Sequence, residues 1–238
     1  LALDKDGKLW IATTNGLNCL DTKTGVFKRF LNDPNDDSSI SFKNVRSLLI
    51  DNEGVLWIGG EFLDRYDPDQ NRFIHFLQKT KYTSNSLMTV ITTIKEGPDN
   101  NFWLDNFSGE LVLFDPEIDK IVQHIPLLMD GQPPSDKFPI YQLEVDREGG
   151  VWVGTRRCLF RYDPNYNQFH HYGAKYGDPH ALPEETVWSF FEDQFGILWV
   201  KTRTQVVPLD LKTGVLPDSC ISPMSKREII NNFGMGIF

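Results

Sequence analysis

The stretch Asp146-Arg-Glu-Gly-Gly-Val-Trp152-Val-Gly-Thr155, followed by Leu159-Phe-Arg-Tyr-Asp163-Pro164, decides the fold because it recurs along the chain. Its anchor reappears as Asp4-Lys-Asp-Gly-Lys-Leu-Trp10, Asp51-Asn-Glu-Gly-Val-Leu-Trp57, Asp99-Asn-Asn-Phe-Trp103 and Asp193-Gln-Phe-Gly-Ile-Leu-Trp199. The steps between these five tryptophans are 47, 46, 49 and 47 residues, and the sixth tryptophan, Trp188, is off the register. Around each anchor lie β-type segments. An apolar stretch precedes four of them, at Val45 to Ile50, Val90 to Ile94, Ile140 to Val145 and Val187 to Phe191. A Leu…Asp stretch follows at Leu17 to Asp21, Leu63 to Asp67, Leu111 to Asp115 and Leu159 to Asp163, with Val206 to Asp210 a weaker fifth copy. An aromatic or apolar piece comes next, for example Phe73 to Phe76 and Phe169 to Tyr172.

Turn chemistry separates these segments. Asp-x-x-Gly suits a tight hairpin, since Gly accepts positive φ and Asp bonds its own backbone. Asp67-Pro68, Asp115-Pro116 and Asp163-Pro164 mark the next hairpin, where proline pre-sets φ. Four short strands repeated five times at a fixed period predict an all-β chain, a β-propeller of four-stranded blades with about five blades present. The blades are expected near residues 1–44, 45–89, 90–139, 140–186 and 187–232, with 233–238 starting or closing another. A two-sheet sandwich also uses short strands but does not repeat its sequence at a fixed period.

Composition narrows the function classes. A chain that is 40% apolar and 13% aromatic has material for a packed core, which excludes disorder as its description. No apolar run approaches the about 18 residues of a helical membrane span. Lys+Arg 24 against Asp+Glu 33 leaves −9, which argues against a nucleic acid partner. Cys19, Cys158 and Cys220 are odd in number and scattered, so neither a disulfide framework nor a zinc site is expected. Leu1-Ala-Leu-Asp4 aligns with the end of the strand before an anchor, and Asn232 to Phe238 resembles the start of that strand. Two arrangements follow: a five-bladed ring closed by the C-terminal strand, or a piece of a larger propeller. The piece is the favoured expectation.

The combined pattern resembles the two-component regulator propeller repeat. It stands nearly complete at Val187 to Trp199, Asp146 to Pro164 and Val45 to Pro68. It is degraded at Glu96 to Trp103, where we read one inserted residue and Asn100 in place of Gly. The resemblance implies the extracytoplasmic sensor region of a membrane-anchored histidine kinase, often a hybrid one and often responsive to glycans. It also implies a seven-bladed propeller, further domains of the parent receptor as partners, and a periplasmic location. A homodimer is a further expected partner.

Internal repetition separates scaffold from site. Residues found at one position in every blade serve what every blade needs. The five anchor tryptophans are therefore blade packing, and Asp21, Asp67, Asp115, Asp163 and Asp210 are turn caps rather than catalytic carboxylates. His75, His124 and His171 fall at equivalent outer-strand positions, which predicts solvated edges and not a metal site. No catalytic residue, metal or cofactor is expected; nucleophile-elbow, dinucleotide, phosphate-loop and zinc-protease patterns are missing from the sequence.

What breaks the repeat is where a site is expected. The loops after the fourth and fifth anchors read Thr155-Arg156-Arg157 and Lys201-Thr202-Arg203, four cations in two adjacent blades of an acidic chain. Guanidinium groups suit carboxylate or sulfate. Asp105 and Asn106 replace the small residues of other copies and are candidates for bonding sugar hydroxyls. Trp188 and Tyr141 occupy the strand position where Arg46 sits in another blade; Trp188 is the favoured surface for stacking a sugar. The long blade-to-blade crossings, such as Leu31 to Asn44, share the expected face. The leading expectation is thus a propeller that binds a carbohydrate or another small anionic or polar ligand without turnover. The alternatives are an interaction scaffold and an enzyme of the streptogramin-lyase type.

Overall fold

The structure, a computed structural model, describes residues 1–77, 90–106, 109–127, 139–175 and 181–210. The chain divides into two compact units, Leu1–Leu127 and Leu128–Phe238. Every element among the described residues is a strand, and every sheet is an antiparallel meander in which sequence neighbours pair.

The first unit holds three four-stranded blades. Blade 1 is β1 (Ala2–Leu3), β2 (Lys8–Thr13), β3 (Gly16–Asp21) and β4 (Phe27–Phe30). Blade 2 is β5 (Ser47–Ile50), β6 (Leu56–Gly59), β7 (Leu63–Asp67) and β8 (Arg72–Phe76). Blade 3 is β9 (Ile91–Glu96), β10 (Phe102–Asn106), β11 (Glu110–Asp115) and β12 (Lys120–Pro126). The second unit holds blade 4, made of β13 (Ile140–Val145), β14 (Val151–Thr155), β15 (Leu159–Asp163) and β16 (Gln168–Tyr172). Blade 5 follows with β17 (Val187–Glu192), β18 (Ile197–Thr202) and β19 (Val206–Asp210). The expected remainder of blade 5, the 233–238 strand and Cys220 lie outside the described residues.

In blades 1, 2, 4 and 5 the hairpin between the first and second strands is built on one aspartate. Asp51 Oδ1 accepts from the main-chain N–H groups of Glu53 (3.1 Å) and Val55 (2.8 Å), while its Oδ2 accepts from Trp57 Nε1 (2.8 Å). The indole contact recurs at Asp4–Trp10, Asp146–Trp152 and Asp193–Trp199, at 2.9 to 3.0 Å. A buried indole needs a partner for its N–H, and the aspartate six residues upstream supplies it. Gly54 takes the left-handed corner at φ +86°.

Blade 3 corrects one expectation. Its hairpin opens at Gly97, whose N–H donates to Asn101 O (2.8 Å), so Gly97 and not Asp99 occupies the aspartate position. There is no insertion at this point: Gly97 stands six residues before Trp103, and Asn100 fills the glycine corner at φ +59°. Asn is among the few side chains that tolerate that region.

The aspartates of the next turn act as caps, as expected. Asp21 Oδ1 accepts from the N–H groups of Lys23 and Thr24 (2.9 Å each), and Asp67 and Asp115 repeat the contact. These bonds hold the Asp21 and Asp67 carboxyls below the usual range.

The cores lie between successive blades. In the first unit Trp10, Phe30 and Ile58 meet Phe42 and Val45, and Trp57, Phe76, Phe102 and Phe114 form the next layer. In the second, Trp152, Leu159, Phe190 and Val200 pack between blades 4 and 5. Within each unit the first strands of successive blades lie against one another, β1 by β5 by β9 and β13 by β17. Fourth strands form the opposite edge of each four-stranded sheet.

Candidate functional site

Tyr141 and Trp188 come together at the start of two first strands through the same backbone device. In blade 4, Ile140 pairs with Thr155 and Gln142 with Gly154, leaving Tyr141 without a cross-strand partner. In blade 5, Val187 pairs with Thr202 and Ser189 with Lys201, leaving Trp188 likewise. A β-bulge of this kind re-aims the extra side chain. The two rings stack with centroids 4.6 Å apart and planes at 16°. Trp188 remains 46% exposed, whereas the other five tryptophans are 6% or less. The equivalent positions in the first unit are bulged too. Arg46 N–H donates to Gly59 O while Ser47 also pairs with Gly59, and Thr92 with Thr93 faces Asp105. Arg46 is exposed. The bulge column thus holds Arg46, Thr92, Tyr141 and Trp188, a different side chain in each of blades 2 to 5.

The four sequence-selected cations do not form one group. Arg156 is exposed, and its carbonyl accepts from Thr186 Oγ1 (3.0 Å), one residue before β17. Arg203 is exposed in the turn that Thr202 closes by donating to Gln205 O (3.0 Å). Lys201 belongs to strand β18, not to the loop, and is half-buried opposite Ser189. Pairing of β17 with β18 therefore brings Lys201 and Arg203 to the end of blade 5 that carries Trp188. Thr186 ties Arg156 to the same end. Arg157 departs: it lines a cleft of about 410 Å³ with Cys158, His171, Tyr172, Lys175 and Glu185. Glu184 caps the Arg203 turn, accepting from Thr204 Oγ1 (2.5 Å) and Thr204 N–H (3.2 Å). The Thr204 hydroxyl and the turn's other donors hold the Glu184 carboxyl below its usual range.

Asp105 is corrected by its burial. It is 1% exposed, and its carboxylate accepts from Thr92 N–H (3.0 Å), Thr92 Oγ1 (2.5 Å) and Thr93 N–H (2.6 Å). It fastens β9 to β10 and presents nothing to a sugar. Burial, opposed by those bonds, pushes its carboxyl up to about 6. Asn106 ends β10, and its side chain lies outside the described residues.

His75 is also corrected. His124 and His171 are exposed, but His75 is largely buried, with Nδ1 2.8 Å from Asp64 Oδ1 and Nε2 2.8 Å from the carbonyl of Asp37. Asp64, fully buried, also accepts from the N–H and hydroxyl of Ser41, each at 2.7 Å. The Leu31 to Asn44 crossing is thus pinned to blade 2 and packed through Ile40 and Phe42. The sequence held a signal: Asp64 aligns with Asn18, Val112 and Phe160, opposite His75, Arg29, His124 and His171 respectively. A lone acid in that column breaks the repeat.

Cys19 and Cys158 are buried, and burial pushes the Cys158 thiol up to about 12. That thiol stays protonated and inert near neutrality.

Residues 39–62 match the family model of the two component regulator propeller. No curated protein matches the sequence. Among solved structures, the chain is similar to the extracellular domain of BT4673 from B. thetaiotaomicron, described as a hybrid two component system, at 19% identity and TM-score 0.68. It covers 86% of this chain and 26% of that one. The corresponding domain of BT3049 from the same organism gives 18% and 0.68, over 87% and 26%. Virginiamycin B lyase from Staphylococcus aureus gives 14% and 0.63, over 89% and 66%. The chain spans about a quarter of the length of the first two, and at these identities the likeness is one of fold. The chain is built of β-propeller blades, and its residues 39–62 carry the two component regulator propeller repeat.

Proposed function

We propose that the chain is the ligand-sensing part of an extracytoplasmic receptor of the two-component type, and that it recognises a glycan or a glycan breakdown product without chemical turnover. The observation that carries this reading is the Tyr141–Trp188 stack, an aromatic ledge held out by two β-bulges and left half open to solvent. The free face of Trp188 offers a flat apolar surface to a sugar ring. Arg156, Lys201 and Arg203, drawn to the same end of their blades, supply donors for hydroxyl or acidic groups. Binding would shift an arrangement read by the remaining domains of the parent receptor, through differential affinity for its states. The family match and the extracellular neighbours support the sensor class and its location.

The enzymatic reading draws only on the fold shared with the lyase. The four described histidines, His75, His124, His170 and His171, all lie on fourth strands, each at the edge of its own sheet away from the first strand. Because Trp188 is the exposed tryptophan, its quenching by acrylamide reports the ledge. A panel of neutral and acidic oligosaccharides should include members that protect it saturably; a panel that leaves quenching unchanged contradicts the proposal.

A further inference from the structure

The side chain of Gln142 makes two hydrogen bonds to a single residue of the next blade. Its Nε2 donates to the carbonyl of Phe190 (2.8 Å), and its Oε1 accepts from the N–H of Phe190 (2.9 Å). A primary amide presents a donor and an acceptor side by side, as a residue of a β-strand does. Gln142 therefore acts as one residue of an extra strand on the outer edge of β17, where main-chain groups would otherwise lack partners.

Its place in the chain gives the bridge a consequence. Gln142 follows Tyr141 directly, and Phe190 lies two residues after Trp188. Both bulged rings are thus tethered within two residues of one two-bond clamp. The bulges free Tyr141 and Trp188 from their own ladders, so their mutual position is set by what joins β13 to β17. Among the described residues the two-bond clamp occurs between blades 4 and 5. The same repeat position holds Ser47, Thr93 and Ser189, whose side chains are too short to reach across, and Ser47 Oγ is buried without a partner. A feature that every blade needed would recur in every blade.

We infer that Gln142 is the positioning residue of the aromatic ledge, holding Tyr141 and Trp188 face to face by clamping β13 to Phe190. The inference rests on the ledge being the recognition surface only for its biological meaning; the geometric claim is testable without any ligand. Glu144, whose Oε1 lies 3.4 Å from Gln142 Nε2, is the charged group nearest the clamp, and Asp146 and Glu192 line the same cavity.

The test is acrylamide quenching of Trp188 in the whole chain, with no saccharide present. In Gln142→Ala the stack should open and the quenching constant should rise about twofold, as the covered ring face becomes accessible. Tyr141→Ala should give the same rise. Gln142→Glu provides a reversible version. Its carboxylate accepts from Phe190 N–H but opposes Phe190 O, so quenching should rise at neutral pH. On acidification through the carboxylate range the protonated group donates again, and quenching should return to the wild-type value. Far-UV circular dichroism identifies a Gln142→Ala chain that has unfolded, in which case the acid reversal of Gln142→Glu decides. A folded variant quenched like wild type at neutral pH, or a Gln142→Glu rise that acid does not reverse, overturns the inference. Silence of wild type toward every saccharide would remove the sensing proposal and leave this result standing.

Discussion

His75 and Asp64 form a buried pair in which Nδ1 of the imidazole lies 2.8 Å from the carboxylate of a fully buried residue. The other ring nitrogen meets the carbonyl of Asp37. Both partners are acceptors, and only the imidazolium, with two N–H donors, satisfies both. The bond to Asp64 is the main cause that raises the His75 pKa, against the opposing effect of burial, with Asp37 adding to the rise.

A raised histidine stabilises the fold fully below its ordinary value of about 6.5, and that contribution is lost as pH rises through the folded value. Denaturant unfolding from pH 6 upward should therefore show wild-type stability falling, while His75→Gln stays flatter over the same window. Asp64→Ala should cost about 3 kcal/mol or more at neutral pH, because three donors lose a buried acceptor.

Asp105 predicts a second, lower window. Its carboxyl, raised from 3.8 to about 6, favours the folded state most at low pH, and the advantage is lost as pH rises through 6. Two units correspond to about 3 kcal/mol. Asp105→Asn keeps an acceptor for the Thr92 and Thr93 N–H groups and removes the titration. Its stability should be flat between pH 4 and 6, where wild type declines; equal slopes would contradict the assignment.

The hairpin aspartates predict a large cost for a small change on the surface. Asp51→Ala strips acceptors from Glu53, Val55 and the Trp57 indole, and should destabilise by about 2 kcal/mol in chemical unfolding. Asp99→Ala, the residue that only seems equivalent in blade 3, should stay within about 0.5 kcal/mol of wild type.

The cations beside the ledge predict a dependence on ligand charge. Lys201→Glu and Arg203→Glu should weaken an acidic saccharide about tenfold at low salt, and less as ionic strength rises. Neutral saccharides should be little affected. Arg157→Glu, whose side chain lines a separate cleft, should not discriminate between them.

The fold was legible because the repeat is written in residues that each blade needs. Trp57, Asp51 and Gly54 form one hydrogen-bonded unit, and its six-residue span appears directly in the sequence. The same span places the blade 3 hairpin at Gly97, where no aspartate marks it and Asp99 stands two residues away. The ledge was half legible. Variation at Arg46, Tyr141 and Trp188 marked the column, but a bulge is a property of pairing register that composition does not announce. The role of Asp105 is not legible, because departure from a small-residue pattern says nothing about burial, and here the carboxylate turns inward to Thr92 and Thr93. The His75–Asp64 pair joins two strands and a crossing, and such contacts between sequence-distant residues are not encoded in local spacing.

The most direct measurement of the sensing claim is calorimetric titration of neutral and acidic oligosaccharides into the wild-type chain and into Trp188→Ala. The proposal predicts saturable heat for members of the panel in wild type, and affinity reduced about tenfold when the ring that supplies the stacking face is removed. Binding of undiminished affinity in Trp188→Ala, or no binding by wild type to any member, would contradict it.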